Sequence, residues 1–238
     1  MPIKVPDNLP AQATLETEGV RLITEEAAVR QDVRPLEIAL LNLMPEKIKT
    51  ETQIARLLGA TPLQIQLTLV TTSSYAPRNT SAEHMLAFYR PWEDVRERKF
   101  DGLIITGAPV ETLPFQDVAY WRELTRIFDW SQSHVQETFN ICWGGQAALQ
   151  HFHGVPKYEL PEKLFGVFPH HVRGGRDGLL RGFNDETPVP VSRHTEVRRG
   201  DLPDVAGLSV LLESDETGLC LIRDEARRQI YMFNHLEY

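Results

Sequence analysis

A cysteine set between a short apolar run and two glycines is where this sequence could do chemistry. In Phe139-Asn140-Ile141-Cys142-Trp143-Gly144-Gly145-Gln146-Ala147-Ala148-Leu149, the run ends at Cys142 and strong helix formers follow the glycines. That order reads as strand, sharp turn and helix. Cys142 at the turn faces the first unpaired N–H groups of the helix, whose partial positive charge favours a thiolate nucleophile. Gly144 and Gly145 are expected to supply positive φ in the turn and a close approach for substrate. The plainer alternative is a buried strand cysteine, which needs neither the glycines nor the helix start. An oxyanion formed on attack would find the Trp143 N–H directly after the nucleophile. A second donor is open between Leu43-Met44 and Gly107-Ala108, both at predicted strand ends.

A thiolate needs a base, and the base needs a partner to fix its tautomer. His235-Leu236-Glu237 offers both, because residues two apart in a strand share a face and the carboxylate then stands beside the imidazole at the strand's end. The pairs His151 with His153 and His170 with His171 lack a Cys or carboxylate set at ligand spacing, so no metal site is expected.

The elements that must position these groups alternate. Leu36 to Leu43, bounded by Pro35 and Pro45, is a buried strand. A helix follows with Ile54, Leu57 and Leu58 on one face and Gly59 at its end. Leu63 to Val70 is a second strand, and a short helical stretch surrounds Met85 to Tyr89. Gly102 to Thr106 is a third strand, and Gly107-Ala-Pro-Val-Glu111 is a loop at its carboxyl end, where open α/β sheets bind ligands. Val118, Trp121, Leu124 and Phe128 mark a helix ending near Trp130, and the next strand carries Cys142. The order predicts a doubly wound, mainly parallel α/β sheet with the nucleophile at a strand-to-helix turn. Beyond it, Pro156, Pro161 and Pro169 are expected to break the chain into short strands at Leu164 to Val172, Val189 to Val191, Leu208 to Leu212, Leu219 to Ile222 and Ile230 to Phe233.

At 238 residues and 42% hydrophobic content the chain suffices for one large α/β domain, expected over 34–238. Residues 1–33 read as an arm packing on the body or on a partner chain. A formal charge of -8 without a basic cluster argues against nucleic acid. No apolar run reaches spanning length and the N-terminus lacks a signal-peptide layout, so a cytoplasmic protein is expected. The two cysteines, Cys142 and Cys220, form no disulfide framework, and Cys220 reads as core.

Leu41-Asn-Leu-Met-Pro-Glu-Lys-Ile-Lys-Thr-Glu51, Thr71-Thr-Ser-Ser-Tyr75, Gly102-Leu-Ile-Ile-Thr-Gly-Ala-Pro-Val-Glu111, Val118-Ala-Tyr-Trp121, Cys142-Trp-Gly and Ser192-Arg-His-Thr-Glu196 closely resemble the homoserine O-acyltransferases of the homoserine trans-succinylase type. The resemblance runs from Met1 to Tyr238. Cys142, Gly144 and Gln146 also match a short pattern of the class I glutamine amidotransferases, the structural relatives. What the resemblance implies is a homodimeric cytoplasmic enzyme of methionine biosynthesis that acylates L-homoserine from an acyl-CoA and holds no permanent cofactor. It implies Cys142 as the acyl-thioester nucleophile, His235 as general base, Glu237 as its partner, and Lys163 and Ser192 as homoserine contacts. Glutamate at 111 accompanies acetyl transfer in that family and glycine accompanies succinyl transfer, so acetyl-CoA is the expected donor. Family members continue past Glu237, so a C-terminal segment is expected to be missing here. Gly144-Gly145 and His171 to Arg181 also differ somewhat from the family pattern. The rival, a glutamine amidotransferase domain, is weakened by Asn140 and Leu236 where those motifs carry Gly and Pro; a glutaminase assay separates the two.

Overall fold

The computed structural model describes residues 3–23, 34–74, 79–173 and 178–238. In chain order these form β1 (Ile3–Lys4), α1 (Ala11–Thr17), β2 (Leu22–Ile23), β3 (Leu36–Leu41), α2 (Lys47–Gly59), β4 (Ile65–Thr71), α3 (Ala82–Phe88) and β5 (Tyr89–Pro91). Next come α4 (Trp92–Val95), β6 (Phe100–Ile105), α5 (Trp121–His134), β7 (Val135–Ile141), α6 (Trp143–His153) and β8 (Tyr158–Val172). Strands β9 (Glu186–Glu196), β10 (Leu208–Ser214), β11 (Gly218–Asp224) and β12 (Gln229–Met232) complete the described chain. One sheet runs in the order β2-β1-β4-β3-β6-β7-β12-β11-β10-β8-β9, with β5 paired to β4. Pairing is parallel from β2 to β12 and antiparallel from β12 to β9.

The apolar run at the end of β3 shows how the parallel half is buried. Successive residues of β3 enter opposite cores, Leu40 joining the side covered by α1 and α2, and Ala39 and Leu41 the side covered by α5 and α6. Both faces are therefore buried over Ala39, Leu40 and Leu41, and these positions are apolar. Within α2 the inward residues are Thr50, Glu51, Ile54 and Ala55, while Leu57 is exposed, contrary to the expected face. Gly59 is the last helical residue rather than a left-handed cap. Its missing Cβ makes room for Val20 after α1. The segment ahead of β3 contributes β1, which pairs in parallel with β4.

The antiparallel half departs from expectation. β8 and β9 are long strands of 15 and 11 residues, not short pieces. Pro161 falls where the β8–β9 register shifts between Glu159 and Leu164, and Pro169 stands opposite Pro188. Proline is tolerated at such irregularities because no ladder N–H is required there.

The decisive insertion is β12. It lies parallel against β7, with Gln229 beside Thr138 and Met232 beside Ile141. The chain leaving β12 therefore emerges at the carboxyl end of β7, where Cys142 begins.

Neither Gly144 nor Gly145 has positive φ; that conformation belongs to Cys142 itself. The glycines serve close packing of α6. A Cβ on Gly144 would lie 2.7 Å from the Thr106 carbonyl oxygen, and one on Gly145 would lie 3.2 Å from those of both Asn140 and Met232. Backbone cannot yield as a side chain can, so Gly144→Ala should lower unfolding stability by about 1–3 kcal/mol. Urea unfolding checks this, and a wild-type midpoint would show that α6 does not sit so close.

Candidate active site

Cys142 occupies the junction of β7 and α6 with φ 52° and ψ -120°, a conformation L-residues rarely adopt. Two bonds over-determine it. Its N–H donates to the Met232 carbonyl at 2.6 Å, and its own carbonyl accepts from the Gln146 N–H at 3.2 Å, starting the helix. The N–H groups of Trp143, Gly144 and Gly145 precede that first bond and so have no acceptor within the helix. The Trp143 ring fixes this turn, buried edge-on to Tyr120 with centroids 6.2 Å apart. Cys142 is only 5% exposed.

The two open choices for a second oxyanion donor are now unequal. Leu43 N–H donates to Thr106 Oγ1 at 2.8 Å and Met44 N–H to Asn42 Oδ1 at 3.1 Å, so both are spent. Gly107 lies against Cys142: a Cβ there would stand 3.1 Å from its Cβ and 3.6 Å from its Sγ. Among the described residues no backbone bond engages the Gly107 or Ala108 N–H.

His235 and Glu237 are together, but not by strand geometry. β12 ends at Met232 and the pair sits on the turn beyond it. His235 Nδ1 and Glu237 Oε1 are 2.6 Å apart, Nε2 is 3.3 Å from the Ser192 carbonyl, and the Cys142 side chain acts on the imidazole. His235 is 6% exposed, its ring stacks on Tyr238 at 4.4 Å between centroids, and its backbone N–H donates to the Pro190 carbonyl at 2.9 Å. Burial opposes its charge, yet hydrogen bonds with Cys142 and Glu237, and their negative charge, outweigh this and raise its pKa to about 10.

Behind this pair lies a buried polar layer that sequence reading missed. Asn234 Nδ2 donates to His170 Nε2 at 2.9 Å, Thr217 Oγ1 is 3.2 Å from the same nitrogen, and His170 Nδ1 is 2.9 Å from the Phe168 carbonyl. A histidine bonded this way carries its proton on Nδ1, and burial holds its pKa down. Arg193 is also buried, donating to the carbonyls of Thr217 and Leu219. Burial lowers its pKa, while the charges that favour its ionised form are Cys142, Cys220, Glu196 and Glu111. The signal for it was present: Val189, Val191, Arg193 and Thr195 are the inward set of an alternating strand, all buried. Cys220 is core, its thiol pushed up to about 12 chiefly by burial.

The remaining expected residues divide. Ser192 reaches the site through its carbonyl and through a side-chain bond with Tyr238. Glu111 bridges to β9, where its Oε2 accepts the His194 N–H at 2.7 Å, and it acts with Cys142 on both Arg193 and Tyr238. Lys163 is exposed on β8, its ammonium 5.3 Å from the Phe165 ring centroid rather than against the triad. Of the paired histidines, His151 meets Asp129 at 2.8 Å and His153 meets Asp224 at 2.7 Å. Among the described residues there is no group of three or more metal-ligating side chains, and no helix is long and apolar enough to cross a membrane.

The family model for homoserine O-succinyltransferase matches residues 2–238. The chain belongs to that family. Relatives from Hyphomonas neptunium and Sinorhizobium fredii are each 60% identical over 238 residues, all of this chain and 78% of theirs, and one from Novosphingobium aromaticivorans is 62% identical over all of this chain and 79% of its own. All three are named homoserine O-acetyltransferase. The fold is shared more widely. A glutamine amidotransferase from Thermotoga maritima has a TM-score of 0.60 at 12% identity, covering 86% of this chain and 77% of that one. The glutaminase domain of a Trypanosoma brucei CTPS has a TM-score of 0.57 at 12% identity, covering 85% and 86%. This member of the succinyltransferase family thus carries its Cys-His-Glu set on a class I glutamine amidotransferase fold.

Two of the influences raising the His235 pKa come from Cys142. Cys142→Ala should therefore move the imidazole titration well down from about 10, as followed by ring-nitrogen NMR. An unchanged midpoint would show that the two side chains are not electrostatically coupled.

Proposed function

We propose that this protein transfers an acetyl group from acetyl-CoA to the hydroxyl of L-homoserine, yielding O-acetyl-L-homoserine and CoA. The observation that carries the reading is the juxtaposition of Cys142, His235 and Glu237 in a chain that matches, along its whole length, relatives named homoserine O-acetyltransferase. The Cys142 thiolate attacks the thioester carbonyl. Electrons pass to the carbonyl oxygen, which the N–H groups of Trp143 and of Gly107 or Ala108 receive. Collapse of the tetrahedral adduct breaks the bond to the CoA sulfur, which leaves with the proton from His235 Nε2. Neutral His235, its Nδ1–H held by Glu237, then takes the proton of the homoserine hydroxyl. The oxygen attacks the Cys142 thioester, and the sulfur departs as thiolate.

Ser192, at the imidazole, and Lys163, an exposed cation on the neighbouring strand, suit the polar groups and carboxylate of an amino acid. Glu111 supports acetyl over succinyl. Two carboxylates roughly 4 Å apart at an effective dielectric near 20 repel by about 4 kcal/mol, and a succinyl tail brings the second one. Acetyl brings neither the charge nor the length.

Acetyl-CoA without homoserine should leave one acetyl mass on the peptide holding Cys142; turnover with no such adduct would mean direct transfer. His235→Ala should lose about 10³-fold or more in kcat while remaining folded, and Glu237→Ala less. Near-normal kcat for His235→Ala at neutral pH would assign the base elsewhere. Glu111→Gly should shift kcat/KM toward succinyl-CoA, and a wild type already preferring succinyl-CoA would overturn the acetyl assignment.

A further inference from the structure

The loop after β6 has two sides, and only one is occupied by the chemistry described so far. Glu111 turns toward β9, bonding the His194 N–H. Pro109, Val110 and Leu113 of the same loop turn the other way and wall a cavity of about 600 Å³ at the carboxyl ends of β3 and β4. Leu43, Met44, Pro45, Thr71 and Thr72 form the facing wall, with Ala119 and Asn79 at the exposed rim. Met44 also lines the narrow cleft that holds His235, Glu237 and Gly107, so the cavity adjoins the reacting groups. At that boundary the Leu43 N–H bonds Thr106 Oγ1, and the next residue, Gly107, lies against Cys142.

On the reading that acetyl-CoA is the donor, which this inference requires, we propose that the cavity takes the pantetheine arm of the coenzyme. A thioester has two substituents, and they must leave Cys142 in different directions. The acyl side is limited by Glu111 toward β9, so the sulfur side runs toward β3 and β4. The cavity's chemistry fits that arm. Its volume lies within the usual range for small-molecule sites. Its walls are mainly apolar, matching methylene and dimethyl groups, while Thr71, Thr72 and Asn79 offer neutral hydrogen-bonding groups to the two amides. It does not fit the coenzyme's diphosphate. Among the described residues lining it the one cation is Lys47, whose Nζ is committed to the carbonyls of Asn42 at 2.5 Å and Met44 at 3.2 Å, and the rim carries Asp117. The phosphates belong outside, in water.

The test compares two acetyl donors, acetyl-CoA and S-acetyl-N-acetylcysteamine, which keeps the thioester and one amide but lacks the rest of the arm. Homoserine acetylation is measured for wild type and for Leu113→Trp and Ala119→Trp, both exposed rim positions where a bulky ring narrows the opening. The ratio of kcat/KM for acetyl-CoA over the short thioester should fall at least about tenfold in each variant. An unchanged ratio, whether both donors decline together or neither does, overturns the pantetheine assignment and leaves acetyl transfer standing. Failure of wild type to use either donor rejects the acetyl-transfer reading itself, and this inference with it.

Discussion

The bond from the Cys142 N–H to the Met232 carbonyl joins the strained cysteine to the strand that brings His235 from far along the chain. A non-glycine residue at positive φ costs on the order of 1–3 kcal/mol and persists only when its surroundings leave it no alternative. Here the alternative is removed on both sides. β7 and β12 pin the residue before the turn, and α6, seated within contact of the Asn140 and Met232 carbonyls because Gly145 has no Cβ, pins the residue after it. Because β12 is the strand doing the pinning, the residues that follow it land over the sulfur. The positions of Cys142 and His235 are therefore one structural fact.

Holding an imidazole in a largely buried site demands that its surroundings be polar and satisfied. Glu237 meets Nδ1, the Pro190 carbonyl meets the backbone N–H, and Asn234 ties the turn to His170, which is itself fixed to Phe168 O. Arg193 contributes a buried positive charge near Cys142, bonded only to carbonyls among the described residues, so its charge is not cancelled by a carboxylate in contact. Gln146 extends the layer, donating to the Thr195 carbonyl and accepting from the Thr195 hydroxyl, which fastens α6 to β9. The antiparallel strands thus supply the polar wall of a site whose cysteine comes from the parallel ones.

In the parallel half, β4 was legible from its alternation of polar and apolar residues, and β3 and β6 were legible because burial on both faces forces apolar runs, with prolines and glycines at their ends. The Cys142 turn was legible for the same reason. Its glycines do not bend the backbone as their type suggests, because sequence cannot distinguish a residue that bends a turn from one that lets a helix approach a carbonyl. His235 and Glu237 were found through a spacing argument whose premise fails, since they lie on a turn, yet a tight turn also brings residues two apart together. The long β8 and β9 were hidden by their prolines, which sit at a register shift and opposite another proline. Of the face expected around Ile54, packing keeps Leu58 and adds Ala55, while Leu57, on the far side of Ile54, is left to solvent. Arg193 was overlooked because a charged residue on an inward strand position contradicts the pattern that otherwise identifies the inward face.

The same fold carries glutamine amidotransferases, so the fold does not by itself choose a reaction. On the acyl-transfer reading, the choice lies in how the acyl group on Cys142 is discharged. A thioester waiting for a scarce alcohol is exposed to water at far higher concentration, and transfer can prevail only if water is kept from the attack position while a hydroxyl is guided to it. The surroundings of Cys142 are suited to that. The sulfur lies beneath Gly107, the imidazole is roofed by the Tyr238 ring, and cysteine and histidine are both almost wholly buried. An acceptor that binds through its own charged groups displaces water as it arrives, so that on the acyl-transfer reading the binding of homoserine and the exclusion of hydrolysis are a single step.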